Sequence, residues 1–438
     1  MSKKKVAAVT LGCKLNYAES SSILQSLVDG GWEACGPEEG ADLLIIHTCA
    51  VTGQAEQKCR QKIRRLIRRN PHSRVAVIGC YAQLSPEVLG GIEGVDAVFG
   101  NKEKFELDRY LAVAEAGRSA LPAVAAGPLS RLRTASPGCS LPPGSGRTRA
   151  FLKIQDGCDY MCAYCTIPLA RGRSRSIEPE EVLRQARRLA DSGYREIVLS
   201  GVNTGDYLSR GVDFAALLRM LEDVPVSRIR ISSLEPDMLN EDLLRVVGAS
   251  ERIVPHFHLP LQSGSDSVLK AMRRRYTTDD YRRAVHSLHD VLPGCAVGAD
   301  VMVGYPGEEE GDFQAMYGFI GELPLSYLHV FSCSVRPGTL LQRQVADGER
   351  ERVSPKEAAR RSALLVELGE RKARTFALSR IGSKQMVLFE EGFSGYTPEY
   401  LRVVVPAAAG GEPLAGRELP VRVEGLGDGL QLHARLLS

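Results

Sequence analysis

The 438-residue chain contains a single tryptophan, 6% aromatic residues and no long apolar run. The last absence excludes a membrane-spanning helix, and nothing at the start has the length of a secretory leader. Charge of one sign is also missing. Lys and Arg total 56 against 53 Asp and Glu, a net charge of +3. Whole-chain charge therefore does not mark a nucleic-acid binder, and any basic surface must be local. Without a leader, eleven cysteines do not read as a disulfide framework. They read as metal ligands or catalysts in a reducing cytoplasm. What is present is a 44% hydrophobic complement, enough to bury a core in two or three domains.

Three cysteines stand in one run, Gly157-Cys158-Asp159-Tyr160-Met161-Cys162-Ala163-Tyr164-Cys165, and no fourth follows nearby. Thiolates are soft ligands that suit iron–sulfur clusters. Three of them on a four-iron cluster leave one iron open to a small molecule. A structural zinc site wants four protein ligands, which this run does not supply. The run resembles the signature of the radical S-adenosylmethionine (radical SAM) enzymes. That resemblance implies that Cys158, Cys162 and Cys165 hold a catalytic 4Fe–4S cluster. Its open iron chelates the amino and carboxylate groups of S-adenosylmethionine, and an electron from it cleaves the sulfonium to a 5′-deoxyadenosyl radical.

The hydrophobic pattern divides the chain into residues 1–115, a linker at 116–147, a central domain at 148–376 and a tail at 377–438. In the first part, apolar runs at 6–10, 43–46 and 75–78 predict buried strands, with helices over 20–30 and 54–69. This is a small parallel α/β domain. Ala, Pro, Gly and Ser dominate 121–146, as expected of a linker or long surface loop. From 150 onward, strand patterns at 151–154, 196–200, 228–232, 256–259, 297–303 and 327–332 alternate with helical ones. Six such units predict a partial or complete parallel barrel, with an open doubly wound sheet as the alternative. A long charged helix over 355–380 precedes short apolar runs broken by glycine, a pattern of a small β-barrel or sandwich.

Cys13, Cys49 and Cys80 each lie just past a predicted strand. Ligands of open parallel sheets gather at the carboxyl ends of strands, so the three could converge. By spacing alone they read equally as buried small hydrophobes. Gly12-Cys13-Lys14-Leu15-Asn16, Thr48-Cys49-Ala50-Val51-Thr52 and Gly79-Cys80-Tyr81-Ala82-Gln83 resemble, in order, the amino-terminal motifs of the methylthiotransferases. The resemblance spans nearly the whole chain. It implies that these cysteines hold a second, auxiliary 4Fe–4S cluster. It further implies transfer of a methylthio group to carbon 2 of threonylcarbamoyladenosine at position 37 of tRNA. Isopentenyladenosine or a ribosomal protein are the alternative substrates, and a non-catalytic iron–sulfur RNA-binding or redox-sensing protein is the alternative class. His47 departs from the family, which usually has Asn before Thr-Cys. Cys35, Cys59, Cys139, Cys295 and Cys333 receive no role.

The same resemblance assigns a cofactor pocket. Tyr164 stands where an aromatic residue's backbone meets adenine, Gly201, Val202 and Asn203 follow the second strand, Glu235 is expected at the ribose hydroxyls, and Gln262 and Ser263 at cofactor or substrate. It implies as partners the tRNA anticodon stem-loop, an electron donor such as flavodoxin or ferredoxin, and a sulfur donor. A dense basic stretch runs from Lys58 to Arg74 on and after a predicted helix; with Arg171, Arg173, Arg175 and Arg273-Arg274-Arg275 it is a candidate RNA surface. The tail resembles a TRAM domain, in which Tyr396 and Tyr400 would stack on exposed bases. His256 and His258 share one face of their strand and read as hydrogen-bonded rather than metal-ligating.

Overall fold

The computed structural model describes residues 3–116, 121–130, 132–139, 148–406 and 412–437. In the first domain, strands β1 (Lys5–Leu11), β2 (Leu43–Thr48), β3 (Arg74–Gly79), β4 (Ala97–Phe99) and β5 (Ala123–Ala125) lie side by side in chain order, with Glu33–Ala34 on the outer edge of β1. All pairs are parallel. Every residue of β2 is buried, as a central parallel strand covered on both faces requires. Helices α1 (Lys14–Asp29), α2 (Gly53–Arg69) and α3 (Cys80–Leu84) supply the cover.

Two sequence expectations are corrected here. The helix expected over 20–30 begins at Lys14, directly after Cys13, which caps it without a side-chain hydrogen bond. No Ser, Thr, Asp or Asn announces that start. Of the 116–147 segment expected as a linker, 117–120, 131 and 140–147 lie outside the described residues. Within the rest, β5 extends the sheet, because Ala-Val-Ala completes an otherwise open edge. Leu129 and Ala135 are buried.

The central domain carries six parallel strands: β6 (Arg149–Lys153), β7 (Glu196–Ser200), β8 (Arg228–Ile231), β9 (His256–His258), β10 (Ala296–Val303) and β11 (Tyr327–Ser332). Pairing runs β6-β7-β8 and β9-β10-β11. Single parallel bridges, Ile229 to Ile253 and Ser233 to His258, join the halves. Among the described residues β6 and β11 are not paired, so the barrel is partial. Short α4 (Ile167–Arg171) follows the cysteine loop. The layer of α5 (Pro179–Asp191), α6 (Phe214–Leu221), α7 (Glu241–Ala249), α8 (Thr278–Val291) and α9 (Glu310–Glu322) packs outside. Alternate residues such as Leu152, Leu199, Ile229, Phe257 and Val301 join the core under those helices. Their neighbours, among them Lys153, Arg230, His258, Asp300 and His329, therefore face the barrel interior.

Helix α10 (Pro355–Leu378) starts with Pro at its first turn and a Ser354 cap that accepts from the Glu357 amide, a regular helix opening. It leads to a closed barrel of β12 (Lys384–Glu391), β13 (Ser394–Tyr396), β14 (Arg402–Val404), β15 (Glu418–Leu426) and β16 (Leu432–Leu436). Two inward arginines of β8 clamp this small barrel to the large one. Arg228 donates to Glu418 at 2.7 Å and to the Met386 carbonyl at 2.8 Å, and Arg230 donates to the Pro398 carbonyl at 2.8 Å.

Candidate active site

Register brings the scattered cysteines together. Leu11 pairs with Thr48 and Thr48 with Gly79, so Cys13, Cys49 and Cys80 leave the sheet at one edge. Gly79 has φ +103, and a Cβ there would lie 2.4 Å from the His47 ring; only glycine takes that turn. Burial pushes the Cys49 thiol up to about 12, with Cys80 and Cys13 adding to the shift. Burial also raises Cys13, while Arg171 opposes the rise. Asn101 donates to the Cys80 sulfur at 3.6 Å, and the Cys13 thiol donates to Asn16 at 3.6 Å. Cys59 sits behind this edge, donating to the carbonyl of Cys49 at 3.7 Å.

A buried ionic network ties this edge to the barrel. Glu19, on α1, accepts from Lys104 and Lys153 at 2.6 Å each and from Arg171 at 3.0 and 3.1 Å. Asp156 accepts from Lys153 and Arg171 at 2.8 and 2.9 Å. All five side chains are buried. Burial opposes the Glu19 charge, but Arg171, Lys104 and Lys153 outweigh it and hold the carboxyl well below its usual range. Arg171 also donates to Asn16 at 2.6 Å, so α4, which begins just after Cys165, ends against the auxiliary edge. Arg175 pairs with Asp156 at 3.2 Å, so Arg171 and Arg175 are network members rather than part of the candidate RNA surface. His47 is buried and kept neutral, chiefly by desolvation, and bonds Ser20 at 2.8 Å.

The second cysteine set occupies the loop after β6, at the carboxyl ends of the barrel strands. Gly157 has φ +73, and a Cβ there would fall 2.0 Å from the Arg173 carbonyl oxygen, so the loop folds flat against 172–173. The Tyr160 and Ile167 amides donate to the sulfurs of Cys158 and Cys165, both at 3.4 Å. Burial raises Cys158 to about 11 and Cys165 to about 12, and the neighbouring thiols add to both. N–H groups aimed at sulfur favour the thiolate and tune a cluster bound there. Arg274 donates to the Cys162 sulfur at 3.3 Å and is ion-paired with Glu235. This arginine was expected on an RNA-facing patch; it is instead a site residue, stacked over Tyr276.

The other expected cofactor residues surround this loop. Gln155 accepts from the amides of Val202 and Asn203 at 2.9 and 3.0 Å, fixing the turn that contains Gly201. Both polar atoms of the Asn203 side chain and the Ser232 hydroxyl are buried without a hydrogen-bond partner. Buried polar groups are ordinarily paired, so these are the groups a polar ligand would satisfy. Gln262 adopts φ +65, with its backbone bridged to β10. Ser263 is buried and its hydroxyl accepts from the Ser265 amide at 3.3 Å. Tyr164, like Met302 and Cys333, packs against the buried cluster of Val268, Met272, Tyr305 and Leu341.

Among the described residues, only His258, Asp300 and His329 bring three ligand atoms within 4.8 Å of one another. Neither thiol set is that tight. Sulfurs on one tetrahedral zinc would be about 3.8 Å apart, from Zn–S bonds of about 2.3 Å; the wider spacing suits a multi-iron cluster. Other basic candidates separate by position. Lys58, Lys62, Arg65 and Arg68 line a groove on α2, whereas Arg74 is ion-paired with Asp96 at 3.0 Å and leaves the patch. Tyr396 and Tyr400 stack on each other at 4.7 Å with Arg149 over both rings, and both line a cavity shared with the barrel strands.

A partial six-stranded parallel barrel, with a three-cysteine loop at its carboxyl end, defines a radical SAM enzyme. Residues 152–320 match the radical SAM superfamily and residues 5–100 match the uncharacterized protein family UPF0004. The chain is 39% identical to a threonylcarbamoyladenosine tRNA methylthiotransferase, MtaB, of Bacillus subtilis, covering 95% of this chain and 93% of that protein. It is 34% identical to the Aquifex aeolicus protein of the same name, covering 91% and 96%. A tRNA-2-methylthio-N(6)-dimethylallyladenosine synthase of Flavobacterium johnsoniae is 31% identical over 92% and 88%. The radical S-adenosylmethionine methyltransferase TsrM of Kitasatospora setae, solved with cobalamin and a 4Fe–4S cluster bound, superposes with TM-score 0.58 at 17% identity, over 79% of this chain and 78% of that one; this likeness concerns the fold. The chain belongs to the radical SAM tRNA methylthiotransferases, transferases that use a 4Fe–4S cluster and S-adenosylmethionine. No helix among the described residues is long and apolar enough to cross a membrane.

Proposed function

We propose that the chain methylthiolates carbon 2 of N6-threonylcarbamoyladenosine at position 37 of tRNA, using two 4Fe–4S clusters, in the cytoplasm. The observation that carries this reading is the pair of three-cysteine sets, each one ligand short of four, on adjoining strand ends. Cys158, Cys162 and Cys165 would hold one cluster and Cys13, Cys49 and Cys80 the other. When bound, the clusters would supply the electron that cleaves S-adenosylmethionine and the sulfur, and S-adenosylmethionine would supply the methyl group and the 5′-deoxyadenosyl radical that removes the carbon 2 hydrogen.

The chain's own residues do the rest. Tyr160 and Ile167 amides and the Arg274 guanidinium donate to the loop sulfurs and so favour the ionised form that ligates iron. Asn203 and Ser232 offer the unsatisfied groups that orient S-adenosylmethionine, beside the turn at Gly201 and Val202. Glu235, Gln262, Ser263 and Tyr164 flank it. Glu19, Lys104, Lys153, Asp156 and Arg171 hold the two cysteine edges in fixed relation, which the transfer between them needs. The α2 groove of Lys58, Lys62, Arg65 and Arg68 would take phosphates of the anticodon stem-loop. A flavodoxin- or ferredoxin-type electron donor and a sulfur donor complete the partners.

Two measurements test the reading. Anaerobic reconstitution should give about eight irons per chain, two four-iron clusters each on three thiolates; about four would end the two-cluster assignment. Nucleoside mass spectrometry of tRNA from cells with and without the gene should show 2-methylthio-threonylcarbamoyladenosine only in the former. Appearance of the dimethylallyl product instead would move the enzyme to the other named group of relatives.

A further inference from the structure

The inner face of the barrel carries polar machinery that neither cysteine set uses. A cavity of about 480 Å³ lies where the three domains meet. Lys14, next to Cys13, comes from the first domain; Arg230, His258 and His329 from the barrel strands; Tyr396 and Tyr400 from the small β-barrel. One wall includes Ser233, two residues before the Glu235 that pairs with Arg274 at the cysteine loop. The cavity thus borders a residue flanking each cysteine set.

The charges in and around this cavity are unequally matched. Arg149 is engaged by Glu390, Arg228 by Glu418 and Arg230 by Glu196. Arg402 and Glu399 contribute one charge of each sign on the small-barrel wall. The Lys14 side chain lines the cavity and makes no hydrogen bond or ion pair with any described residue. An ammonium so placed gains from an anion brought to it.

Across the cavity a hydrogen-bond chain has a defined direction. Asp300 Oδ1 lies 3.0 Å from His258 Nε2 and 3.3 Å from His329 Nδ1. An ionised carboxylate only accepts, so both nitrogens carry protons. His258 Nδ1 must then accept from the Tyr327 hydroxyl at 3.3 Å, and that oxygen accepts from His256 Nε2 at 3.0 Å. The assignment leaves His256 Nδ1 bare, and that atom is indeed buried without a partner. At the other end, a neutral His329 that donates from Nδ1 to Asp300 offers Nε2 as an acceptor on a half-exposed ring.

We propose that this cavity receives the N6 substituent of the target adenosine, with Lys14 pairing with its carboxylate and His329 accepting from its hydroxyl or ureido N–H. The proposal rests on the threonylcarbamoyladenosine reading and deepens it. A dimethylallyl group would leave the ammonium and the imidazole facing hydrocarbon, which costs binding. Lys14 and His329 are then the residues that select an amino-acid-bearing base.

The test uses the holoenzyme and anticodon stem-loop RNA carrying threonylcarbamoyladenosine or its methyl ester, which keeps the shape and removes the charge. The wild type should favour the acid over the ester by about ten- to hundredfold in kcat/KM, the range expected for one charge-assisted hydrogen bond. Lys14→Met should bring the two substrates to near parity through a rise in KM for the acid, and Lys14→Arg should restore most of the preference. Iron and sulfide content and 5′-deoxyadenosine formation on each variant separate lost recognition from a disturbed cluster. His329→Phe should weaken both substrates about equally. Equal use of acid and ester by the wild type overturns the proposal without any variant. Turnover of neither, with turnover of dimethylallyl RNA, overturns the functional reading itself.

Discussion

The two cysteine sets reach the same ligand shortage by opposite routes. Cys158, Cys162 and Cys165 belong to one loop, held flat by Gly157 and by amides that donate to their own neighbours' sulfurs. Cys13, Cys49 and Cys80 come from three separate strand ends and meet only because β1, β2 and β3 pair in one register. A loop set needs little beyond its own turn. A strand-end set needs the whole sheet, and a one-residue slip would turn its side chains to the other face.

That contrast can be broken most sharply by removing one thiolate from each set. Cys158→Ala should abolish 5′-deoxyadenosine formation while leaving the auxiliary iron, about half the total. Cys80→Ala should abolish methylthiolation yet leave 5′-deoxyadenosine formation measurable. Loss of both activities in both variants would mean that the sets do not act separately. Next in size, Arg171→Met removes the guanidinium shared by Glu19 and Asp156 and leaves buried carboxylates short of a partner. It should cost about 3–5 kcal/mol, read as a lowered denaturant midpoint, and should disturb the auxiliary iron more than the loop iron. Arg274→Gln should slow S-adenosylmethionine cleavage about ten- to hundredfold through the loss of a charged donor to Cys162, with the auxiliary cluster's spectrum unchanged. The smallest effect concerns RNA. Replacing Lys58, Lys62, Arg65 and Arg68 by Ala should weaken stem-loop binding at low salt and reduce the salt slope by up to about four; an unchanged slope would remove α2 from the RNA surface.

The same contrast sets what could be read in the sequence. The loop set is local, so spacing announces it, and the strand set was found through motifs rather than periodicity. The six barrel strands followed from apolar alternation, which is strong where one face meets helices. Short β4 and β5 gave no such signal, and Cys13 gave no ordinary cap for α1. The ionic network was invisible for a different reason. Glu19, Lys104 and the Lys153–Arg171 stretch are far apart along the chain, and each residue reads alone as a surface charge. Arg274 was hidden inside an arginine triplet, whose neighbours are exposed. The contacts of Tyr396 and Tyr400 with Arg149, and of Tyr400 with Arg230, come from another domain.

The buried carboxylate of Glu19 has a consequence for how this chain can be divided. Its three cationic partners come from both sides of the 116–147 segment, so a severed amino-terminal piece would keep Lys104 but lose Lys153 and Arg171. Two halves made separately should therefore be poorly soluble alone and should regain order when mixed, so complementation, rather than dissection, is the practical way to study them.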